Sequence, residues 1–179
     1  MKKSKLMAMM ALSSAVLFGA LVGVASDARA ELNGTGSQYI YKIVNVNSGK
    51  VLDVEHGSKE ATSRLVQWEY LGLKSQQWTV LANGNGTYTI VNVNSGMAIE
   101  PAAVTNGARI WQRDYSPGRD LQHWFISSQT GGASYTISNA ATLKLMDIEF
   151  NSKDNGWNVH QWDYAPGVQS QLWRFERVN

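Results

Sequence analysis

The chain has 179 residues, no cysteine, 10% aromatic and 17% charged side chains, and a formal charge of +2. Four basic residues and one acidic residue lie in the first thirty positions, so residues 31–179 keep 12 basic against 13 acidic side chains, a formal −1. That balance excludes nucleic-acid binding through a basic face, and the lack of cysteine excludes disulfide bracing and a thiol nucleophile.

The chain opens as an export leader. Lys2, Lys3 and Lys5 precede a mostly apolar run of about 19 residues, Leu6 to Val24, and Ala28-Arg29-Ala30 supplies a small-x-small cleavage pattern. Residues 1–30 therefore read as a secretory signal peptide cleaved near Ala30, which makes the protein extracellular. A retained anchor is the alternative, since such a run just spans a bilayer, but Ser13, Ser14 and interspersed glycines dilute it. No later stretch is apolar enough to insert in a membrane. The remaining 149 residues suit one domain with a real core and are too few for a core plus a separate enzyme.

Residues 31–38 form a short polar lead-in with two glycines, read as flexible. From Tyr39 onward short β-rich runs alternate with turn residues. Tyr39 to Val44, Val51 to Val54, Leu65 to Trp68 and Gln77 to Val80 read as four strands, with Asn47-Ser48-Gly49 and Asn83-Gly84-Asn85-Gly86 as turns. The same score then repeats twice. Tyr41, Tyr88 and Tyr135 are 47 residues apart, and Ile43 to Gly49 recurs letter for letter as Ile90 to Gly96. Each copy closes on Gln-x-Trp, at Gln76-Gln77-Trp78, Gln122-His123-Trp124 and Gln171-Leu172-Trp173. A fixed period of this length marks a repeat architecture.

Three units, at about 39–86, 87–133 and 134–179, with four short strands each predict an all-β domain closed about a pseudo-threefold axis, because closure removes free strand edges. The expected core is Ile43, Ile90 and Ile137; Leu52, Ile99 and Met146; Leu65, Ile110 and Val159; and Trp78, Trp124 and Trp173. Gln67, Gln112 and Gln161 also recur in every unit and read as structural, since a residue kept in each repeat holds the fold more often than it makes a site.

Triplicate Gln-x-Trp, with Ser48-Gly49-Lys50-Val51-Leu52-Asp53-Val54 in the first unit, resembles the ricin B-type lectin family over residues 39–179. The resemblance implies a β-trefoil fold and a carbohydrate-binding role, as in modules of secreted bacterial enzymes, with galactose-type sugars as ligands. It implies a sugar site built from an Asp on the second strand, an aromatic ring on the third and an Asn-Gln pair at the head of Gln-x-Trp. A carboxylate accepts charge-assisted bonds from hydroxyls, and a ring covers the apolar face of a pyranose.

By that pattern the first unit offers Asp53, Trp68, Ser75 and Gln76, and the third offers Asp147, Trp162, Ser170 and Gln171. Both spacings from acid to ring are 15, and both carry Ser in place of Asn. Strand alternation puts Val66 beside Trp68 and His160 beside Trp162, so His160 joins the third set and the two sites differ in preference. The second unit has Glu100, Arg113 and Leu121 in the corresponding places, with Gln122 retained and Trp111 on the face of Arg113; it reads as degenerate rather than remodelled. The alternative for the first and third units is that the acids bind turn amides and the rings are packing residues.

His56, His123 and His160 fall in different units without metal spacing, and no cofactor motif occurs. There is no Gly-x-Ser-x-Gly elbow, and the carboxylates sit at repeat-equivalent positions that a single active site does not require. The expectation is therefore a monomeric secreted lectin and no enzyme. A β-trefoil that docks on protein, as an inhibitor or toxin subunit, is the alternative.

Overall fold

The computed structural model describes residues 39–129 and 132–178; the leader and the lead-in lie outside the described residues. The β-rich runs form twelve strands. The first repeat gives β1 (Ile40–Asn45), β2 (Val51–Val54), β3 (Leu65–Trp68) and β4 (Trp78–Ala82). The second gives β5 (Tyr88–Asn92), β6 (Ala98–Pro101), β7 (Ile110–Arg113) and β8 (Trp124–Ser128). The third gives β9 (Tyr135–Asn139), β10 (Leu145–Ile148), β11 (Val159–Trp162) and β12 (Trp173–Arg177). Among the described residues there is no α-helix. Short 3₁₀ turns at Glu55–Gly57, Lys74–Gln76, Asp120–Gln122, Glu149–Asn151 and Gln169–Gln171 were not anticipated from the sequence.

Six strands close a barrel: β1 pairs with β12 and β4, β5 with β4 and β8, and β9 with β8 and β12. The other six make three hairpins, β2–β3, β6–β7 and β10–β11. The hairpins meet one another through single bridges, Arg64–Trp111, Arg109–His160 and Val66–Asn158. The fold is a β-trefoil.

All twelve expected core positions are completely buried in one cluster, joined by Val54 and Ile148. Each core tryptophan also satisfies its one polar atom. The indole N–H of Trp78, Trp124 and Trp173 donates to the carbonyls of Leu52, Ile99 and Met146 at 3.0, 3.1 and 3.0 Å, which avoids the ~1–3 kcal/mol cost of a buried unpaired donor.

The repeated Asn-x-Asn-Ser-Gly words are explained by burial. Asn45, Asn92 and Asn139 are wholly enclosed. Their amides donate to the carbonyls of Ser170, Ser75 and Leu121, just ahead of a Gln-x-Trp, and their Oδ1 atoms accept from the turn N–H two residues on. The following Ser48, Ser95 and Thr142 hydroxyls donate to Oε1 of Gln67, Gln112 and Gln161, so Thr replaces Ser in the drifted third copy without loss of the bond.

Those three glutamines are the clamps between repeats. Gln67 Nε2 donates to the carbonyls of Ser152 and Asp154, Gln112 to Ser58 and Glu60, and Gln161 to Ala103 and Thr105. Each reaches the loop of a neighbouring repeat, where unpaired carbonyls would otherwise be stranded. Their expected structural role is borne out.

Candidate binding site

Each hairpin presents one acid on its first strand and one surface residue at the end of its second. Antiparallel register sets Asp53 opposite Val66, Glu100 opposite Trp111 and Asp147 opposite His160. Two residues further on, Trp68 and Trp162 emerge 37% and 44% exposed on the same faces.

In the first repeat these groups line a cleft of about 280 Å³ with His56, Leu71, Leu73 and Gly156. Asp53 Oδ2 accepts from Gln76 Nε2 at 3.0 Å. Its Oδ1 is buried without a well-aligned hydrogen-bond partner among the described residues. Burial raises the carboxyl above the ordinary aspartate value near 3.8, against the lowering pull of the nearby Ser75 hydroxyl, Gln76 amide and Val54 N–H.

The third-repeat cleft is larger, about 440 Å³, and is lined by Asp147, Phe150, His160, Trp162, Val168 and Gln171 among others. The His160 and Trp162 rings stack at 5.5 Å, and His160 Nε2 lies 3.7 Å from Asp147 Oδ2. Here both acid oxygens are engaged. Ser170 Oγ bonds Oδ1, and Gln171 Nε2 donates to Oδ2 at 3.2 Å. Ser170 Oγ is also close to Asn151 Oδ1. One hydroxyl proton cannot serve two acceptors, which orients the Asn151 amide with its NH₂ toward the serine.

The Gln of each Gln-x-Trp differs from expectation. Gln76 gives its two N–H bonds to Asp53 and the Glu69 carbonyl and accepts from the Leu71 N–H. Gln171 does the same with Asp147, Asp163 and Ala165, and both residues are buried. Both N–H donors of each amide are thus used within the chain, and only the second lone pair of Oε1 is left over. The two glutamines hold the acids in place, as Ser170 does, and the physical reason is that the 3₁₀ turn tucks this segment behind β2 or β10. Ser75, also buried, still lines its cleft.

The second repeat is closed by its own side chains. Glu100, fully buried, accepts from Arg119 Nε at 2.6 Å, Arg119 Nη2 at 2.8 Å, Gln122 Nε2 at 3.0 Å and Trp111 Nε1 at 3.4 Å. Arg119 stands three residues before the Gln, where the other repeats carry Leu73 and Val168, both cleft-lining. This guanidinium escaped the sequence reading; an arginine in place of two aliphatic residues was its only signal. Arg113 is exposed.

Two further differences come from the loops. The backbone N–H of Gly107, Gly156 and Thr62 donates to the carbonyl of Gln161, Gln67 and Gln112 respectively, so the three positions are equivalent. A Cβ at Gly156 would lie 3.4 Å from the Trp68 ring, and one at Gly107 would lie 3.6 Å from the Trp162 ring. Each open cleft thus has a wall from a neighbouring repeat in contact range of its tryptophan, at a left-handed backbone position that favours glycine (φ 83 at Gly156 and 78 at Gly107). Thr62 sits at φ 67, a left-handed conformation costly for a β-branched residue. The stretch from acid to following strand is also two residues shorter in the second repeat, Glu100 to Ile110, which removes the 3₁₀ turn that carries His56 and Phe150 in the others.

Among the described residues no three His, Asp or Glu side chains gather to hold a metal ion. A family model described as ricin-type beta-trefoil lectin domain-like matches residues 29–113, 97–162 and 120–179. The chain belongs to this family. Among solved structures, the designed three-fold symmetric protein ThreeFoil is 34% identical with a TM-score of 0.73, the match covering 78% of this chain and 99% of that one. An exo-beta-1,3-galactanase from Clostridium thermocellum is 37% identical with a TM-score of 0.74, over 80% of this chain and 31% of the enzyme. The Macrolepiota procera ricin B-like lectin in complex with lactose shares the fold at 23% identity and TM-score 0.69, over 81% and 99% of the two chains. No curated protein matches the chain significantly.

Proposed function

We propose that this chain is a secreted, monomeric carbohydrate-binding protein with two clefts, one on the first repeat and one on the third, each taking a sugar ring. The observation that carries this reading is the pairing, twice on one plan, of a buried acid with a half-exposed tryptophan in an open cleft. In the first cleft the Asp53 carboxyl lines the wall, held in place by Gln76, and a carboxylate there is a charge-assisted acceptor for a sugar hydroxyl. Trp68 and Trp162 each offer a flat face to the C–H side of a pyranose. Val66 and His160 differentiate the two, since His160 adds a polar, stacked ring where the first cleft has an aliphatic wall. The family supports a carbohydrate ligand, and the lactose- and galactan-related relatives favour galactose-type sugars. The leader pattern of residues 1–30 supports export.

Shallow clefts of this size bind in roughly the millimolar to tens-of-micromolar range, about 4–6 kcal/mol, and two on one rigid body gain by avidity on a polymer. The test is a glycan array followed by binding to the immobilised hit. Trp68→Ala and Trp162→Ala each lower apparent affinity about tenfold or more through lost stacking and avidity, and the double variant, still folded by near-ultraviolet circular dichroism, does not bind. Full binding by the folded double variant sinks the two-cleft reading. Tight association with a protein that free sugar does not compete replaces it with a docking function.

A further inference from the structure

The geometry points to a second sugar subsite in the third-repeat cleft, centred on Phe150, which makes that cleft a reader of disaccharide or longer ends and leaves the first cleft to single rings. This rests on the carbohydrate-binding reading above. Phe150 lines the same cleft as Asp147 and Trp162, yet it is 80% exposed, the most exposed of the large apolar side chains among the described residues. Its backbone has φ 57 and ψ 21, a left-handed conformation that a bulky residue adopts only when its surroundings force it.

The surroundings do force it. Asn151, next in the chain, is also left-handed at φ 53. Its carbonyl accepts from Asn47 Nδ2 at 2.9 Å, and its side chain meets Ser170. Glu149, just before, accepts from Asn158 Nδ2 at 2.7 Å. The ring itself is propped edge-on against Trp157, with centroids 5.7 Å apart at 88°. At 80% exposure most of the phenyl ring stays open despite this contact, and an open aromatic surface beside a cleft already furnished with an acid and a stacking tryptophan suits a second pyranose.

The other repeats lack this surface. The first has the same left-handed turn, at φ 57, but with His56 in place of the phenyl ring, and its cleft is about 280 Å³ against about 440 Å³. The second has no such turn.

The test uses the Trp68→Ala chain, so that the third cleft alone reports, with galactose and lactose as probes in calorimetric titrations. Lactose binds about fivefold to tenfold tighter than galactose, the worth of one added ring contact. Phe150→Gly brings the two sugars within about twofold by weakening lactose alone, and Phe150→Trp keeps the gap. Because glycine relieves the left-handed strain, the melting temperature of Phe150→Gly does not fall, which separates subsite loss from unfolding. A lactose advantage that survives Phe150→Gly, or equal binding of both sugars by the chain that keeps Phe150, overturns the subsite. Binding of neither sugar by the folded protein overturns the galactose-type reading beneath it.

Discussion

The second repeat and its two neighbours share one hairpin plan and put it to opposite uses. In the first and third repeats the acid lies at the floor of an open cleft and a tryptophan stands free above it. In the second, Glu100 is enclosed by Arg119, Gln122 and Trp111, and every polar demand is met from within the chain. The difference resides less in the acid than in what surrounds it: an arginine for an aliphatic residue, a threonine for a glycine on a neighbouring loop, and a turn shortened by two residues. Openness in this fold is therefore a property of pairs of repeats, since each cleft borrows a wall from the loop next to it.

The largest break in this comparison is Arg119→Ala. It strips the buried Glu100 of its charged partner, and because Arg119 itself is partly exposed the loss is about 2–4 kcal/mol. The matching change in the first repeat, Leu73→Ala, removes a half-exposed side chain and costs at most about 0.5 kcal/mol. Denaturant titration of the two variants, read by their midpoints, checks the contrast; equal losses would show that the second repeat is not held by its ion pair.

The loop glycines come next. Gly156→Ala and Gly107→Ala each lose about 1–2 kcal/mol by forcing a side chain into a left-handed backbone, and each perturbs the fluorescence of the tryptophan it touches. Thr62→Gly runs the other way and gains about 0.5–1 kcal/mol, the strain relieved less the added chain entropy. A loss on Thr62→Gly would mean that the threonine makes contacts worth more than its strain.

The smallest effect belongs to Asp53. Burial raises its carboxyl in the folded state, so the native protein holds the proton more tightly than the unfolded chain does. Its contribution to stability is present at acid pH and lost as pH rises through the raised folded value. Asp53→Asn therefore stabilises the protein slightly at neutral pH, and that advantage disappears on acidification. In the Trp162→Ala chain, sugar binding at the first cleft fades over the same acidic range, as the acceptor becomes a neutral acid. A pH-independent difference in thermal melts between the parent chain and Asp53→Asn would remove burial as the cause.

Much of this was legible before any coordinates. The 47-residue period lines up equivalent positions, and alternation within short strands then marks Ile43, Leu52, Leu65, Trp78 and their copies as core. Gln67, Gln112 and Gln161 were legible as structural because no site needs three copies. The roles of Gln76 and Gln171 were not, because nothing in the residue type distinguishes an amide that meets a ligand from one used up on a neighbouring acid and two backbone groups; only the 3₁₀ turn decides it. Arg119 was hidden for a similar reason. Nineteen residues separate it from Glu100, and a turn arginine reads as solvated until β6 is placed opposite it. Phe150 was hidden by its context, a polar loop in which only the backbone angle reveals that the ring is held out.

The clamp formed by Gln67 has a consequence for how the molecule comes into being. It sits in the first repeat, yet the carbonyls it holds belong to Ser152 and Asp154, and β1 beside it pairs with β12 along five residues from Tyr41–Arg177 to Asn45–Trp173. A chain made from its N-terminus forward leaves Gln67 without these partners until residues 152–154 are made, and one edge of β1 open until its last strand is synthesised. The first repeat therefore completes its contacts only once the third is present. Closing the ring depends on contacts between distant parts of the chain, which places its folding in the slow, millisecond-to-second class of all-β domains.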